Sequence, residues 1–116
     1  MSRMQIVPPG TAVTNNVLAA ELRAAAPRSF LKAQDVLVAA KKYANGGGWF
    51  SSEKSRLQRM QQEVYALGRL LEQEGYGGGV PTRMARVFAF LNQFSQAFPN
   101  WQREYEVLNK FAPMFY

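Results

Sequence analysis

The chain of 116 residues contains no cysteine and no histidine. Without cysteine, the protein has no disulfide framework and no thiolate metal site. Without histidine, it lacks the commonest general base near neutral pH, the commonest metal ligand and every histidine-dependent catalytic triad. We therefore expect a protein that is not an enzyme and that carries no cofactor and no metal.

Long hydrophobic runs are also missing from the sequence. No stretch approaches the roughly 18 consecutive apolar residues of a membrane span. The N-terminal stretch MSRMQIVPPGTAVTN has no apolar segment of the kind found in signal peptides. The sequence therefore predicts neither a transmembrane segment nor a signal peptide, and we expect a cytoplasmic or virion-associated protein.

Acidic residues are scarce. Eight Asp and Glu stand against fourteen Lys and Arg, which gives a net charge of +6 and a pI near 10.0. Such a balance suits a nucleic acid, an acidic protein or a membrane surface as partner. Small basic components of large assemblies show the same balance without binding nucleic acid specifically, so the charge alone does not choose among these partners.

The remaining composition and its periodicity favour a helical domain. A hydrophobic fraction of 47% in a chain of this length predicts a single domain. No stretch alternates apolar and polar residues for long enough to indicate a strand. The sequence predicts an all-α fold, a small bundle of four to five helices built on a central antiparallel helical hairpin. We expect an extended N-terminal arm over residues 1–13, the helical bundle over 14–110 and a short apolar C-terminal tail over 111–116.

Capping residues and prolines indicate where the helices begin. The first helix is predicted to begin after Thr14 or Asn15 and to end before Pro27, which suits the first turn of the second helix. Later helices have similar signals. Their predicted starts are Ser51 or Ser52 for the third helix, Pro81 or Thr82 for the fourth, and Asn100 as the cap of the fifth.

Apolar residues recur at spacings of three and four residues within the predicted helices. The second helix carries Phe30, Leu31 and Val38 as its candidate buried face. The third and fourth helices carry longer seams, and we expect these two helices to form the antiparallel hairpin. The seams are Leu57, Met60, Val64, Leu67 and Leu71 in the third helix, and Met84, Val87, Leu91, Phe94 and Phe98 in the fourth, where Phe88 and Phe90 add bulk.

Two glycine triplets, Gly46–Gly48 and Gly77–Gly79, raise the question of phosphate loops. A phosphate loop follows a strand and ends in Gly-Lys-Ser or Gly-Lys-Thr, and a dinucleotide-binding turn requires a βαβ unit. Both triplets instead follow predicted helices, and neither is followed by lysine. The glycines are therefore predicted to be joints between helices.

Basic residues gather where the second helix ends and the third begins. Cations in the first turn of a helix oppose its dipole and cost a few tenths to about 1 kcal/mol. One interpretation is a surface that contacts nucleic acid, other phosphates or an acidic partner. The alternative is a solvated face partly neutralised by Glu53, Glu104 and Glu106. The candidate anion-binding or nucleic-acid-binding residues are Lys41, Lys42, Lys54, Arg56 and Arg59.

Four charged residues flank the second glycine triplet. Glu72 and Glu74 lie two apart on a helix, so their carboxylates point to different sides and cannot flank one substrate bond. Arg83 and Arg86 follow on the next helix. We expect these four residues to form ion pairs across the turn, which contribute little stability when exposed.

Apolar residues at both ends of the chain suggest contacts with other proteins. The two prolines of the arm favour an extended chain, and the aromatic tail must either fold back or dock onto another chain. Trp49 and Phe50, beside the first glycine triplet, raise the same question. The candidate partner-binding residues are Ile6, Val7, Pro8, Pro9, Trp49, Phe50, Phe111, Met114, Phe115 and Tyr116.

The sequence favours a non-enzymatic structural or assembly protein. We expect an oligomeric subunit of a larger complex, such as a phage virion or a secretion apparatus, that docks through its arm and its aromatic tail. The alternative is a basic helical nucleic-acid-binding protein that uses the cluster between the second and third helices.

Overall fold

The computed structural model describes residues 14–46 and 52–116, and these residues form six α-helices and one 3-10 turn. No strand occurs within these two ranges, so the predicted all-α fold is confirmed. The helices are α1 (Asn16–Ala25), α2 (Pro27–Asn45), α3 (Glu53–Gln73), α4 (Arg83–Ala97), α5 (Gln102–Lys110) and α6 (Ala112–Phe115), with the 3-10 turn at Pro99–Trp101. The predicted N-terminal arm lies outside the described residues.

Side-chain caps begin three of the helices, as predicted. Asn15, Ser52 and Thr82 each accept a hydrogen bond from the backbone amide three residues further on, at 3.0–3.1 Å. Each bond satisfies one of the amides that a helix leaves free in its first turn. The predicted cap Asn100 is wrong, because it lies inside the 3-10 turn and α5 begins at Gln102 without a side-chain cap.

Helices α2 and α3 are antiparallel and make the most extensive helix–helix contact of the described residues. Ser29, near the start of α2, bonds to Glu74 just past the end of α3, and Tyr43, near the end of α2, bonds to Glu53 at the start of α3. The face that α2 buries is rich in alanine, which lets the two backbones approach closely. Helix α4 packs against α1 and α3 through smaller contacts.

The predicted seams of α3 and α4 are buried, with Leu57 and Phe98 half-buried at their edges. The predicted face of α2 is partly wrong. Leu31 is 72% exposed, whereas Val36 and Leu37 are fully buried. The buried face follows Phe30 at steps of three and four residues, and Leu31 lies about 100° around the helix from that line.

The described glycines of the two triplets, Gly46 and Gly77–Gly79, lie at joints between helices. Gly46 follows the end of α2 with φ 76°, and Gly77 has φ 72° in the turn between α3 and α4. This left-handed region is costly for other residues. Since helices precede both positions, the strand that a phosphate loop requires is absent from these parts of the described chain.

Candidate functional site

The C-terminal tail folds back onto the bundle. Phe111 is half-buried, with its ring edge-on to Tyr43 at a centroid distance of 5.2 Å. The amide of Met114 donates to the carbonyl of Phe111, and this turn leads into α6. Phe115 is only 5% exposed and therefore packs within its own chain instead of facing a partner.

Two residues of the tail remain at the surface. Met114 is 46% exposed and Tyr116 is 68% exposed. The ring of Tyr116 stacks on that of Phe88, with centroids 6.3 Å apart and planes 16° apart. Phe115 also contacts the Phe88 ring, at 6.1 Å. We call Met114 and Tyr116 the C-terminal patch.

The other predicted partner-binding residues lie outside the described residues. They are Ile6, Val7, Pro8 and Pro9 of the arm, and Trp49 and Phe50 beside the first glycine triplet. Sequence reasoning missed two further exposed apolar side chains. Val17 and Leu31 are each 72% exposed, and only the burial pattern of α1 and α2 distinguishes them from core residues.

The predicted basic residues lie at one end of the α2–α3 pair, and we call the five of them the basic end. Lys41, Lys42, Lys54 and Arg59 are exposed, and none of these four has an ion-pair partner among the residues in ranges 14–46 and 52–116. Arg56 is half-buried, with its guanidinium 6.0 Å from the centre of the Tyr43 ring. The expected neutralisation by Glu104 and Glu106 does not reach these four cations.

Tyr43 contacts several residues at and beside the basic end. Its hydroxyl donates a hydrogen bond to Glu53 at 3.1 Å. Burial raises the pKa of the Tyr43 hydroxyl, and the bond to the Glu53 carboxylate raises it further. The Tyr43 ring contacts both the Arg56 guanidinium and the Phe111 ring, so it links the basic end to the C-terminal tail.

A groove of about 280 Å³ runs between α2 and α3 and brings two of the basic residues together. Lys42 from α2 and Arg59 from α3 both line it, whereas Lys41 and Lys54 do not. The same groove contains Lys32, whose ammonium lies 3.2 Å from Glu63 and 3.5 Å from Asp35. Lys32, Asp35, Val38, Ala39, Lys42, Arg59 and Glu63 line the groove.

Sequence reasoning missed the acidic half of this groove. Lys32 and Asp35 are three residues apart and therefore share a helix face, which was a usable local signal. Glu63 joins them from α3, 31 residues away from Lys32. The groove becomes visible only once the register of the two helices is known.

Charges at the opposite end of the α2–α3 pair are paired, and we call Glu72, Glu74, Arg83 and Arg86 the paired end. Arg83 donates to the Glu72 carboxylate, and an Arg86 nitrogen lies 3.8 Å from the same oxygen. The hydrogen bond from Arg83 lowers the pKa of the Glu72 carboxyl. Two of the predicted pairs across the turn therefore form, both with Glu72.

Glu74 has a different role from the predicted one. Its carboxylate accepts hydrogen bonds from the backbone amides of Arg28 and Ser29, at 2.9 and 2.8 Å, and from the Ser29 hydroxyl at 2.6 Å. It thus satisfies free amides at the start of α2 and places a negative charge at the positive end of that helix. Although burial raises the pKa of Glu74, these hydrogen bonds lower it on balance.

A second concavity lies at the paired end and is lined by Glu72, Gly75, Tyr76, Gly78 and Arg86. The Arg86 guanidinium donates to the carbonyl of Val80 at 3.1 Å. Burial raises the pKa of the Tyr76 hydroxyl, and the Tyr76 ring packs edge-on against Phe90 at 5.0 Å. These groups hold the turn between α3 and α4 against the core.

Residues 14–46 and 52–116 contain no group of three or more acidic side chains placed to hold a metal ion together. No helix within these ranges has both the length and the hydropathy needed to span a membrane. Comparisons of the chain with protein family models, with curated proteins and with solved structures find no match.

Proposed function

We infer that the protein is a non-enzymatic structural or assembly subunit of a larger complex, such as a phage virion or a secretion apparatus. In this proposal the C-terminal patch docks onto a neighbouring subunit, and the predicted arm with Ile6, Val7, Pro8 and Pro9 provides a second contact. The observation that carries the proposal is the exposed Tyr116 ring, stacked on Phe88 beside the buried Phe115.

An exposed aromatic ring that is already held in place suits protein–protein contact. Tyrosine and methionine are enriched in interfaces, where an apolar body is covered and a polar tip keeps a hydrogen bond. A side chain fixed by stacking loses little conformational entropy when a partner covers it. Tyr116 therefore offers apolar area to a neighbouring subunit at low entropic cost.

The test compares two double variants. M114S/Y116S removes the C-terminal patch, and V17S/L31S removes two exposed apolar side chains elsewhere. We expect affinity purification from the native source to recover partner subunits with the wild type and with V17S/L31S, but not with M114S/Y116S. Equal recovery with all three proteins would contradict the proposed role of the patch.

Point variants are preferable to a truncation of residues 111–116, because Phe115 belongs to the core. Replacing a buried phenylalanine by alanine typically costs about 3 kcal/mol or more, so we expect F115A to unfold at clearly lower denaturant concentration than the wild type. M114S/Y116S should leave the denaturation midpoint nearly unchanged, since both side chains are exposed. The truncation would mix these two effects.

The second candidate function is nucleic-acid binding through the basic end. It is favoured by the four exposed cations that lack ion-pair partners among the described residues. We expect K41E/K54E to reduce the binding of duplex or single-stranded DNA in fluorescence anisotropy at low salt, where phosphate contacts are strongest. R103E/K110E is the matched control, with the same change in net charge on α5. No binding by the wild type at low salt would eliminate this candidate.

A further inference from the structure

The C-terminal patch lies among further aromatic rings. One face of the Tyr116 ring stacks on Phe88, and the 68% exposure of Tyr116 leaves its other face largely free. Tyr65 packs edge-on against the buried Phe115 at 6.1 Å. Burial raises the pKa of the Tyr105 hydroxyl and the nearby Tyr116 raises it further, so Tyr105 also lies beside the patch. The exposed ring of Tyr116 is therefore part of an aromatic cluster that α3, α4 and α5 all supply.

The tyrosine hydroxyls of this cluster are available as hydrogen-bond donors. Those of Tyr65, Tyr105 and Tyr116 have no hydrogen-bond partner among residues 14–46 and 52–116, and their side chains are half-buried or exposed. Aromatic surfaces bind polyproline segments, which present proline rings for contact and carry carbonyls that make no internal hydrogen bonds. The cluster therefore suits a proline-containing segment as its occupant.

The chain itself contains such a segment in the predicted N-terminal arm. Pro8 and Pro9 are adjacent and follow the apolar Ile6 and Val7, whereas the other four prolines of the sequence stand singly. Proline has no amide N–H, so a proline pair can be covered by aromatic rings without burying an unpaired donor. The arm therefore matches the aromatic cluster in both its rings and its free carbonyls.

The arm is also long enough to reach the C-terminal patch of its own chain. The amide of Asn15 donates to the carbonyl of Ala97 at 2.8 Å, so the arm joins the bundle at the end of α4. Phe88 lies about 13.5 Å back along α4, and even from the opposite side of a helix about 10 Å wide the straight-line distance is about 17 Å. An extended chain covers about 20 Å from Asn15 to Pro9 and about 30 Å from Asn15 to Ile6.

We propose that the predicted arm of the same chain binds the C-terminal patch, with the Pro8 and Pro9 rings on the free face of Tyr116 and tyrosine hydroxyls donating to arm carbonyls. The short connection gives the arm a local concentration on the order of millimolar at the patch, which favours it over the arm of a second copy. The proposal rests on the proposed function for the role of the patch. A neighbouring subunit that docks there displaces the arm, which then becomes free to make the second contact.

The experiment is nuclear magnetic resonance on the isolated, isotope-labelled full chain. Nuclear Overhauser effects should connect the ring protons of Pro8 and Pro9 with those of Tyr116. P8S/P9S should shift the Tyr116 ring resonances, because the proline rings no longer cover that ring. Y116S should shift the resonances of both prolines in turn. Since Tyr116 is exposed and the prolines lie in the arm, both variants should keep the fold, which circular dichroism will check.

Matched controls test whether these shifts are specific. Q5A/T11A changes two arm residues outside the proline pair, and L31S removes an exposed apolar side chain on α2. Neither control should move the resonances of Tyr116, Pro8 or Pro9. A mixture of labelled and unlabelled chains should show no nuclear Overhauser effect between different copies, because each arm binds its own chain.

Two outcomes would overturn the proposal. The absence of nuclear Overhauser effects between the arm and Tyr116, with unchanged Tyr116 resonances in P8S/P9S, would show that the arm does not bind the patch. Contacts found only between labelled and unlabelled chains would make the occupant a second copy. Because these measurements contain no partner protein, their failure is distinct from a failure of the affinity purification that tests the proposed function.

Discussion

The two ends of the α2–α3 pair differ in whether their charged side chains have partners within the described chain. At the paired end, Glu72 bonds to Arg83, and Glu74 accepts hydrogen bonds from the start of α2. At the basic end, four cations have no ion-pair partner among the described residues. Charge at the paired end therefore holds helices together, whereas charge at the basic end is left available for contacts outside the chain. Substitutions at the first end should change stability, and substitutions at the second should change binding.

The largest contrast is expected between E74A and K42A. Removing the Glu74 carboxylate leaves the fully buried Ser29 hydroxyl and two backbone amides without their acceptor. An unsatisfied group of this kind costs about 1–3 kcal/mol, so urea denaturation at neutral pH should show a loss of about 2 kcal/mol. K42A should stay within about 0.5 kcal/mol of the wild type. Equal losses would remove the distinction between the two ends.

Acid should weaken the paired end selectively. The folded-state pKa values of Glu72 and Glu74 lie below the ordinary carboxyl value of 4.5. A group with a lowered pKa contributes stability above its unfolded pKa and loses it as pH falls through its folded pKa. We expect the stability of the wild type to fall steeply below about pH 4.5, and that of E74Q to fall less. Parallel pH curves for the two proteins would show that Glu74 does not cap α2 as a carboxylate.

A smaller effect is expected in the glycine turn of the paired end. In G77A the alanine must adopt the left-handed backbone conformation of Gly77. Its new methyl group also lies about 3.0 Å from the Arg86 side chain. The conformational term alone is about 1 kcal/mol. G78A is the matched control, because no atom lies within 4 Å of the added Cβ. Thermal denaturation should separate the two variants, and an equal midpoint would show that the turn is not constrained at Gly77.

The smallest change is expected for Y43F at the basic end. This variant loses the exposed hydrogen bond to Glu53 and keeps the edge-on ring contact with Phe111. Stability should therefore change less than in E74A or G77A, while the tail stays in place. A loss as large as that of E74A would mean that the basic end also depends on one polar bond.

Local signals in the sequence predicted the starts of α1 to α4 and much of the core. Asn15, Ser52 and Thr82 cap helices because a cap depends on residues three positions apart. The seam of α3 depends on spacing within one helix. Both features depend only on residues a few positions apart in the sequence, so they can be predicted without knowing the tertiary fold.

Features that join distant parts of the chain could not be predicted in this way. Glu74 accepts a hydrogen bond from Ser29, which lies 45 residues earlier in the sequence. Arg83 and Arg86 lie much closer to Glu74 in the sequence, so the sequence favoured ion pairs with these arginines. The groove needs the α2–α3 register to bring Asp35 and Glu63 to the same cation. The burial of Phe115 depends on the space beside Phe88, which no spacing rule describes.

In the proposed function, the C-terminal patch docks onto another subunit of a larger assembly. Its most direct test is a side-by-side affinity purification of wild type, V17S/L31S and M114S/Y116S from the native source, with co-purifying proteins measured by quantitative mass spectrometry. We expect a defined set of subunits with the first two baits and the loss of that set with M114S/Y116S. The same subunits at the same yield with all three baits would contradict it.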